Sequence, residues 1–201
     1  MRASTRREFV AGAAGRIECA VDSPEGEALS VARGVALIAH PHPLFGGSLD
    51  NKVVQTLARA FLELGYETWR PNFRGVGQTE GVHDEGRGEL EDLAAVLEHI
   101  RREKFVLAGF SFGASLAAQL AEKEKPEWLV LVGVGITRVM APPVPAGTLV
   151  IHGENDDTVP LAAVLDWARP QELPVVVVPG ADHFFHRKLH ILRALVQGNW
   201  H

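Results

Sequence analysis

Gly109-Phe110-Ser111-Phe112-Gly113 lies between an apolar run of strand length at 104–108 and a helical pattern at 114–123. No other stretch restricts the fold so tightly. A strand that passes into a helix through a single serine needs a turn sharp enough to hold that serine at a strained backbone angle. Side chains two residues before and after it would strike the neighbouring strand and helix, and glycine at both places removes them. The turn lifts the Ser111 hydroxyl above the sheet edge. It also sets the hydroxyl over the N-terminus of its own helix, where unpaired N–H groups favour developing negative charge. A plain glycine-rich strand-to-helix turn would read the same, so the meaning of the pentapeptide depends on partners elsewhere.

Strands and helices alternate along most of the chain. Residues 7–10 and 16–21 read as a β-hairpin turning through 12–15, with period-2 alternation in its second strand. Thr5-Arg6-Arg7-Glu8-Phe9-Val10 imitates the start of a twin-arginine export signal. The apolar stretch behind it is short, rich in glycine and alanine, and broken by Arg16 and Glu18, which favours the hairpin. A turn is expected at 22–27. The unbroken apolar run 35–39 suits a strand buried on both faces. Pro41 and Pro43 make the following loop, 40–47, rigid and extended. A helix over 51–64 would be capped by Ser48 or Asp50 and stopped by Gly65. A strand at 66–70, a glycine-rich loop, a polar turn-like stretch at 79–88 and an amphipathic helix at 89–102 then lead to the central strand. Strands at 128–132, 148–152 and 175–178 and helices at 160–167 and 184–196 complete the pattern. The expectation is a single domain over 1–201 of the α/β class: a mostly parallel sheet flanked by helices, with an N-terminal β-hairpin. Ligands of such sheets bind at the carboxyl ends of the strands. The segments carrying His40, Asn72, Ser111, Asp156 and His183 all follow strands, and so share one edge.

Composition narrows the partners. A net charge of −5 argues against a nucleic-acid surface. No apolar run is long enough to span a bilayer. Cys19 is the single cysteine, which excludes an internal disulfide framework and fits a cytoplasmic location. An exposed edge strand or the hairpin could join two copies as a homodimer.

A serine hydroxyl is a weak nucleophile until a base takes its proton, and an imidazole oriented by a carboxylate is the usual base. In a sheet with this turn the chain order is serine, then acid, then histidine. After Ser111 come His152-Gly153-Glu154-Asn155-Asp156-Asp157-Thr158-Val159-Pro160 and then Pro179-Gly180-Ala181-Asp182-His183-Phe184-Phe185. Glu154, Asp156 and Asp157 can each supply the carboxylate. Adjacent residues point in different directions, so only one of Asp156 and Asp157 can face the imidazole. His186 and His190 fall inside the expected last helix, whereas His183 lies on the turn before it. His99, His152 and His201 have structural or surface readings, and Asp182 reads as a turn residue.

Taken together, the elbow pentapeptide, the run from His152 to Pro160 and Gly180-Ala181-Asp182-His183-Phe184-Phe185 resemble the α/β-hydrolase superfamily. More narrowly they resemble its small lidless, dienelactone-hydrolase-like bacterial branch. The His40-Pro41-His42-Pro43 loop and Asn72-Phe73-Arg74-Gly75-Val76-Gly77 are similar to that branch too. The resemblance runs from Phe9 to the last helix. It implies that Asp156, four positions after His152, is the acid and that His183 is the base. Asp157 is then left to cap the helix at Pro160 or to bond its own loop. Dienelactone hydrolase itself uses a cysteine where this chain has Ser111, so the dienelactone substrate does not carry over.

The oxyanion of such a reaction needs two N–H donors. The backbone of Phe112, the residue after the nucleophile, is one. The other would come from the loop after His40. Pro41 and Pro43 have no N–H, which leaves His42 or Leu44, with Leu44 slightly favoured. His40 and His42 lack a third ligand at metal-site spacing, so neither metal nor other cofactor is expected. Asn51, Arg74 and Gln78 are near enough in the pattern to line a site, but Asn72 and Arg74 read more simply as holding loops through backbone hydrogen bonds. The connector 133–146, with its three prolines Pro142, Pro143 and Pro145, cannot build a helical lid. The cleft is therefore expected to be open and shallow, with no cap domain. Phe45, Met140 and Phe184 are candidate substrate-binding residues, and Phe110, Phe112, Val139 and Phe185 further candidates for an apolar wall. The function these features imply is hydrolysis of a small ester or thioester with a short acyl group. A peptidase, cofactor-free haloperoxidase or C–C hydrolase on the same scaffold, or a non-catalytic binding module, are the alternatives.

Overall fold

The computed structural model describes residues 5–24, 33–101, 103–136 and 139–200. Positions 25–27 of the expected turn, 137–138 of the connector, and His201 lie outside the described residues. β1 (Arg6–Gly12) and β2 (Gly15–Asp22) form the hairpin, with Gly12 opposite Gly15. β2 also pairs antiparallel with β4 (Glu67–Pro71). The remaining pairings, among β3 (Val35–Ala39), β4, β5 (Phe105–Phe110), β6 (Trp128–Val132), β7 (Leu149–Gly153) and β8 (Val175–Val178), are parallel. The sheet has eight strands in the order β1-β2-β4-β3-β5-β6-β7-β8.

Successive side chains of a strand point to opposite faces, so an unbroken apolar run feeds two cores at once. In β3, Val35, Leu37 and Ala39 enter the core beneath α2 (Arg87–Ile100), α3 (Phe112–Glu124) and α4 (Leu161–Ala168). Ala36 and Ile38 enter the opposite core, beneath α1 (Lys52–Glu63) and α5 (Leu189–Gly198). That two-sided burial explains why the central strands carry no polar alternation.

Several element ends differ from expectation, each for a local reason. α1 is capped by Asn51, whose Oδ1 accepts from the Val53 and Val54 N–H groups at 2.9 and 3.4 Å. The Ser48 hydroxyl instead accepts from Asp50 N–H at 3.3 Å. The loop after β3 is not extended throughout, because Pro43–Phe45 close a single 3₁₀ turn. β5 runs on through Phe110 and α3 begins at Phe112, so strand and helix meet with only Ser111 between them. α5 starts at Leu189 rather than at 184, because Phe185 and Arg187 take positive φ values of 55° and 60° that no helix allows. Asn72 and Arg74 hold loops, but largely through side chains. Arg74 forks onto the Asp92 carboxylate of α2 with both contacts at 2.8 Å. Asn72 accepts from Leu49 N–H at 2.9 Å and donates to Glu18 at 2.8 Å.

Between β6 and β7 the described residues form no helix, so nothing in them caps the carboxyl edge of the sheet. Among the described residues no helix is long and apolar enough to cross a membrane.

Candidate active site

The site grows out of the elbow. Ser111 holds φ 56° and ψ −120°, a conformation L-residues avoid. The close approach that enforces it is visible at the two glycines. A Cβ on Gly109 would lie 2.3 Å from the Gly113 carbonyl oxygen, and one on Gly113 would lie 2.4 Å from that of His40. Ser111 is tied at both ends: its N–H donates to Val132 at 2.9 Å and its carbonyl accepts from Ala114 at 3.0 Å.

Two further loops meet the hydroxyl. The loop after β7 and the turn after β8 are zipped together, with Asn155 N–H donating to the Ala181 carbonyl at 2.8 Å and Glu154 N–H to that of Val178 at 3.1 Å. This contact puts His183 Nδ1 2.7 Å from Asp156 Oδ2 and His183 Nε2 3.1 Å from Ser111 Oγ. A carboxylate only accepts, so Nδ1 carries the imidazole proton and Nε2 presents its lone pair to the hydroxyl. Asp156 Oδ1 is occupied as well, accepting from the N–H groups of Thr158 at 3.0 Å and Val159 at 2.7 Å. His183 is buried between Phe110 and Phe184, at ring-centroid distances of 4.8 and 5.1 Å. The arrangement can move a proton from Ser111 to His183 and hold the resulting imidazolium against Asp156.

The other candidates separate. Asp157 is exposed and does not cap α4, whose N-cap is Pro160 with no side-chain bond; its carboxylate accepts from the Thr158 hydroxyl in its own loop, at 3.4 Å. Glu154 accepts from Gly180 N–H at 2.6 Å and braces the turn. His186 is outside the last helix and pairs with Asp182 at 2.7 Å, so Asp182 organises the turn that delivers His183. His190 is in α5.

A cavity of about 250 Å³ opens beside Ser111, lined by His42, Phe45, Phe112, Ser115, Gly135, Val139, Thr158 and Val159. Phe45, Phe112 and Val139 form its apolar side. Phe110 and Phe185 belong to the core, and Phe184 packs on the imidazole instead. Met140 is 74% exposed and is not a lining residue; its neighbour Val139 takes that place. Asn51 and Gln78 are not among the lining residues either, and the Asn51 side chain caps α1. Phe112 is the first residue of α3, so its N–H has no partner within the helix. Leu44 N–H donates to the His42 ring at 3.3 Å and is turned to the 3₁₀ cap.

Sequence reasoning missed four lining residues. Ser115 was within reach of it, since i and i+4 share a helix face and Ser111 opens the same helix. Gly135, Thr158 and Val159 come from irregular loops with no periodic signal. Also missed was His83, whose Nδ1 lies 2.7 Å from the buried Glu89 carboxylate and whose ring packs 4.8 Å from His42.

His40 is buried beside the elbow, just past the end of β3. Its Nδ1–H donates to the Pro41 carbonyl at 2.6 Å and its Nε2 accepts from Phe73 N–H at 2.9 Å, which ties the loops after β3 and β4 together. Complete burial pushes its pKa from 6.5 down to about 4. The unfolded chain therefore takes up this proton near pH 6.5, while the native state resists until about pH 4. Stability present above pH 6.5 is lost as pH falls through that window, by up to about 3 kcal/mol. Urea unfolding at pH 7, 5.5 and 4 should show this decline, and His40→Gln should flatten it.

Residues 42–146 match the family model of the α/β hydrolase fold, and the chain belongs to that family. Among its solved relatives are α/β serine hydrolases, one of them described as lacking a lid. A serine hydrolase without a lid from Xanthomonas campestris is 38% identical, with a TM-score of 0.91 over 99% of this chain and 94% of that one. An α/β serine hydrolase homologue from Coxiella burnetii is 37% identical, with a TM-score of 0.86 over the whole of both chains. An uncharacterised protein of Rickettsia prowazekii is 32% identical over 197 residues, covering 88% of this chain and 81% of that one.

Proposed function

We propose that this chain is a serine hydrolase that cleaves carboxylic ester or thioester bonds of small, short-acyl substrates through an acyl-enzyme. The observation that carries this reading is the hydrogen-bonded line from Ser111 Oγ through His183 to Asp156, at 3.1 and 2.7 Å, over the N-terminus of α3. Ser111 Oγ attacks the carbonyl carbon and gives its proton to His183 Nε2. The tetrahedral oxyanion is held by the Phe112 N–H together with a second backbone N–H from the 42–44 loop. His183 then passes the proton to the departing alkoxide or thiolate. Water, activated by the same imidazole, releases the acid and restores Ser111.

The cavity supports the small-substrate part of this reading. At about 250 Å³ it lies below the range of roughly 300–1,000 Å³ that encloses drug-sized ligands. Its walls are apolar on the side of Phe45, Phe112 and Val139. A panel of p-nitrophenyl esters, acyl-CoAs and peptides tests the assignment. Acetyl and butyryl esters or thioesters are expected to give the highest kcat/KM, falling for chains beyond about eight carbons. Faster turnover of longer chains, or cleavage of peptides alone, would refute it.

A further inference from the structure

His152 is the penultimate residue of β7, and its side chain is fully buried. Its Nε2 lies 2.9 Å from the Val159 carbonyl oxygen and 3.5 Å from Asp156 Oδ2. Both neighbours only accept, so Nε2 carries the proton and Nδ1 is left as a bare lone pair. Among the described residues that Nδ1 meets no hydrogen-bond partner. Burial also holds the ring below its ordinary pKa, so it remains neutral. A leucine would fill this space without desolvating a nitrogen. Packing alone does not call for an imidazole here.

The single N–H of His152 points at the piece of chain that holds the acid. Val159 donates its N–H to Asp156 Oδ1 at 2.7 Å and accepts from His152 through its carbonyl, so its residue is gripped on both sides. Asp156 Oδ2 in turn lies between His183 and His152. We propose that His152 is a positioning residue: its Nε2–H clamps the 156–159 loop and restrains rotation of the Asp156 carboxylate, keeping Oδ2 on the line through His183 to Ser111. The inference rests on the reading of Ser111, His183 and Asp156 as the reacting set.

Three variants grade the donor. His152→Gln keeps an N–H that reaches Val159, His152→Asn carries one that falls short, and His152→Leu has none. With folding checked by circular dichroism and thermal melting, His152→Gln should retain kcat within about threefold of wild type. His152→Asn and His152→Leu should lose about 10- to 100-fold in kcat with little change in KM, as expected for misplaced catalytic groups. A merely structural residue would lower Tm without this split or the rescue by glutamine. Should His152→Leu fail to fold, the contrast between the Gln and Asn variants carries the test. Equal kcat in those two variants would overturn the proposal. A second readout does not need turnover. The His183 Nδ1 proton, identified by its absence from His183→Gln, should appear downfield in the proton NMR spectrum of wild type and His152→Gln. It should broaden or vanish in His152→Asn, and its persistence there would also overturn the proposal. A wild-type protein that hydrolyses no ester or thioester and ignores a fluorophosphonate probe would instead sink the reading of the reacting set, with the NMR comparison still deciding the clamp.

Discussion

Ser111→Ala is expected to lower kcat for ester hydrolysis by at least ~10³-fold and to abolish labelling by a fluorophosphonate probe, while the fold stays intact. Removing Oγ takes away the bond-forming atom but leaves the cavity and the oxyanion donors in place. A small residual rate over water should therefore survive, and KM should change little. Retention of p-nitrophenyl ester turnover would refute the assignment of the nucleophile. The same position gives a stability result that separates strain from chemistry. At φ 56° and ψ −120°, serine and alanine are both held where L-residues are disfavoured, whereas glycine reaches that region freely. Relief of strain on the order of 1–3 kcal/mol is set against roughly 1 kcal/mol of extra chain entropy for glycine. Ser111→Gly should thus be as inactive as Ser111→Ala, yet melt at a temperature equal to or above wild type.

What the sequence disclosed, and what it hid, follows from how each residue is held. Ser111 and His183 were legible because each occupies a short segment after a strand, and parallel strands deliver those segments to one edge. The sharp turn at Ser111 needs only residues within two positions of it, so its glycines announce it locally. Choosing Asp156 over Asp157 and Glu154 required a family resemblance, since adjacent carboxylates in a loop carry no periodicity. The start of α5 was misread because Phe184 and Phe185 extend the helical apolar pattern. In the fold one of them packs on the imidazole and the other fills the core, through a turn with two positive φ values. Leu44 was favoured as an oxyanion donor by counting N–H groups. Counting could not foresee that the His42 ring would accept that N–H. His152 was read as structural because its role depends on Val159 folding back over it, seven residues later.

Asp156→Asn should fold like wild type and yet lose about 10⁴-fold in kcat, because its two carboxylate oxygens have separate duties. Oδ1 accepts two backbone N–H groups, from Thr158 and Val159, and Oδ2 accepts from His183. An asparagine can place its carbonyl oxygen in only one of these positions. Turning it toward His183 would aim an NH₂ at two backbone donors, leaving the buried Val159 N–H unpaired at about 1–3 kcal/mol and the part-buried Thr158 N–H without its partner. Keeping it on the loop leaves a single conflict, an NH₂ facing Nδ1 of His183. The loop therefore wins, and His183 must accept at Nδ1 and move its proton to Nε2. That proton then points at Ser111, and the imidazole can no longer act as base. Asp156→Ala, by contrast, should lower both kcat and Tm, since it removes the loop contacts together with the partner of His183. Measuring kcat and Tm for both variants separates the two duties. An Asp156→Asn enzyme within tenfold of wild type would mean that the carboxylate behind His183 does not set its tautomer.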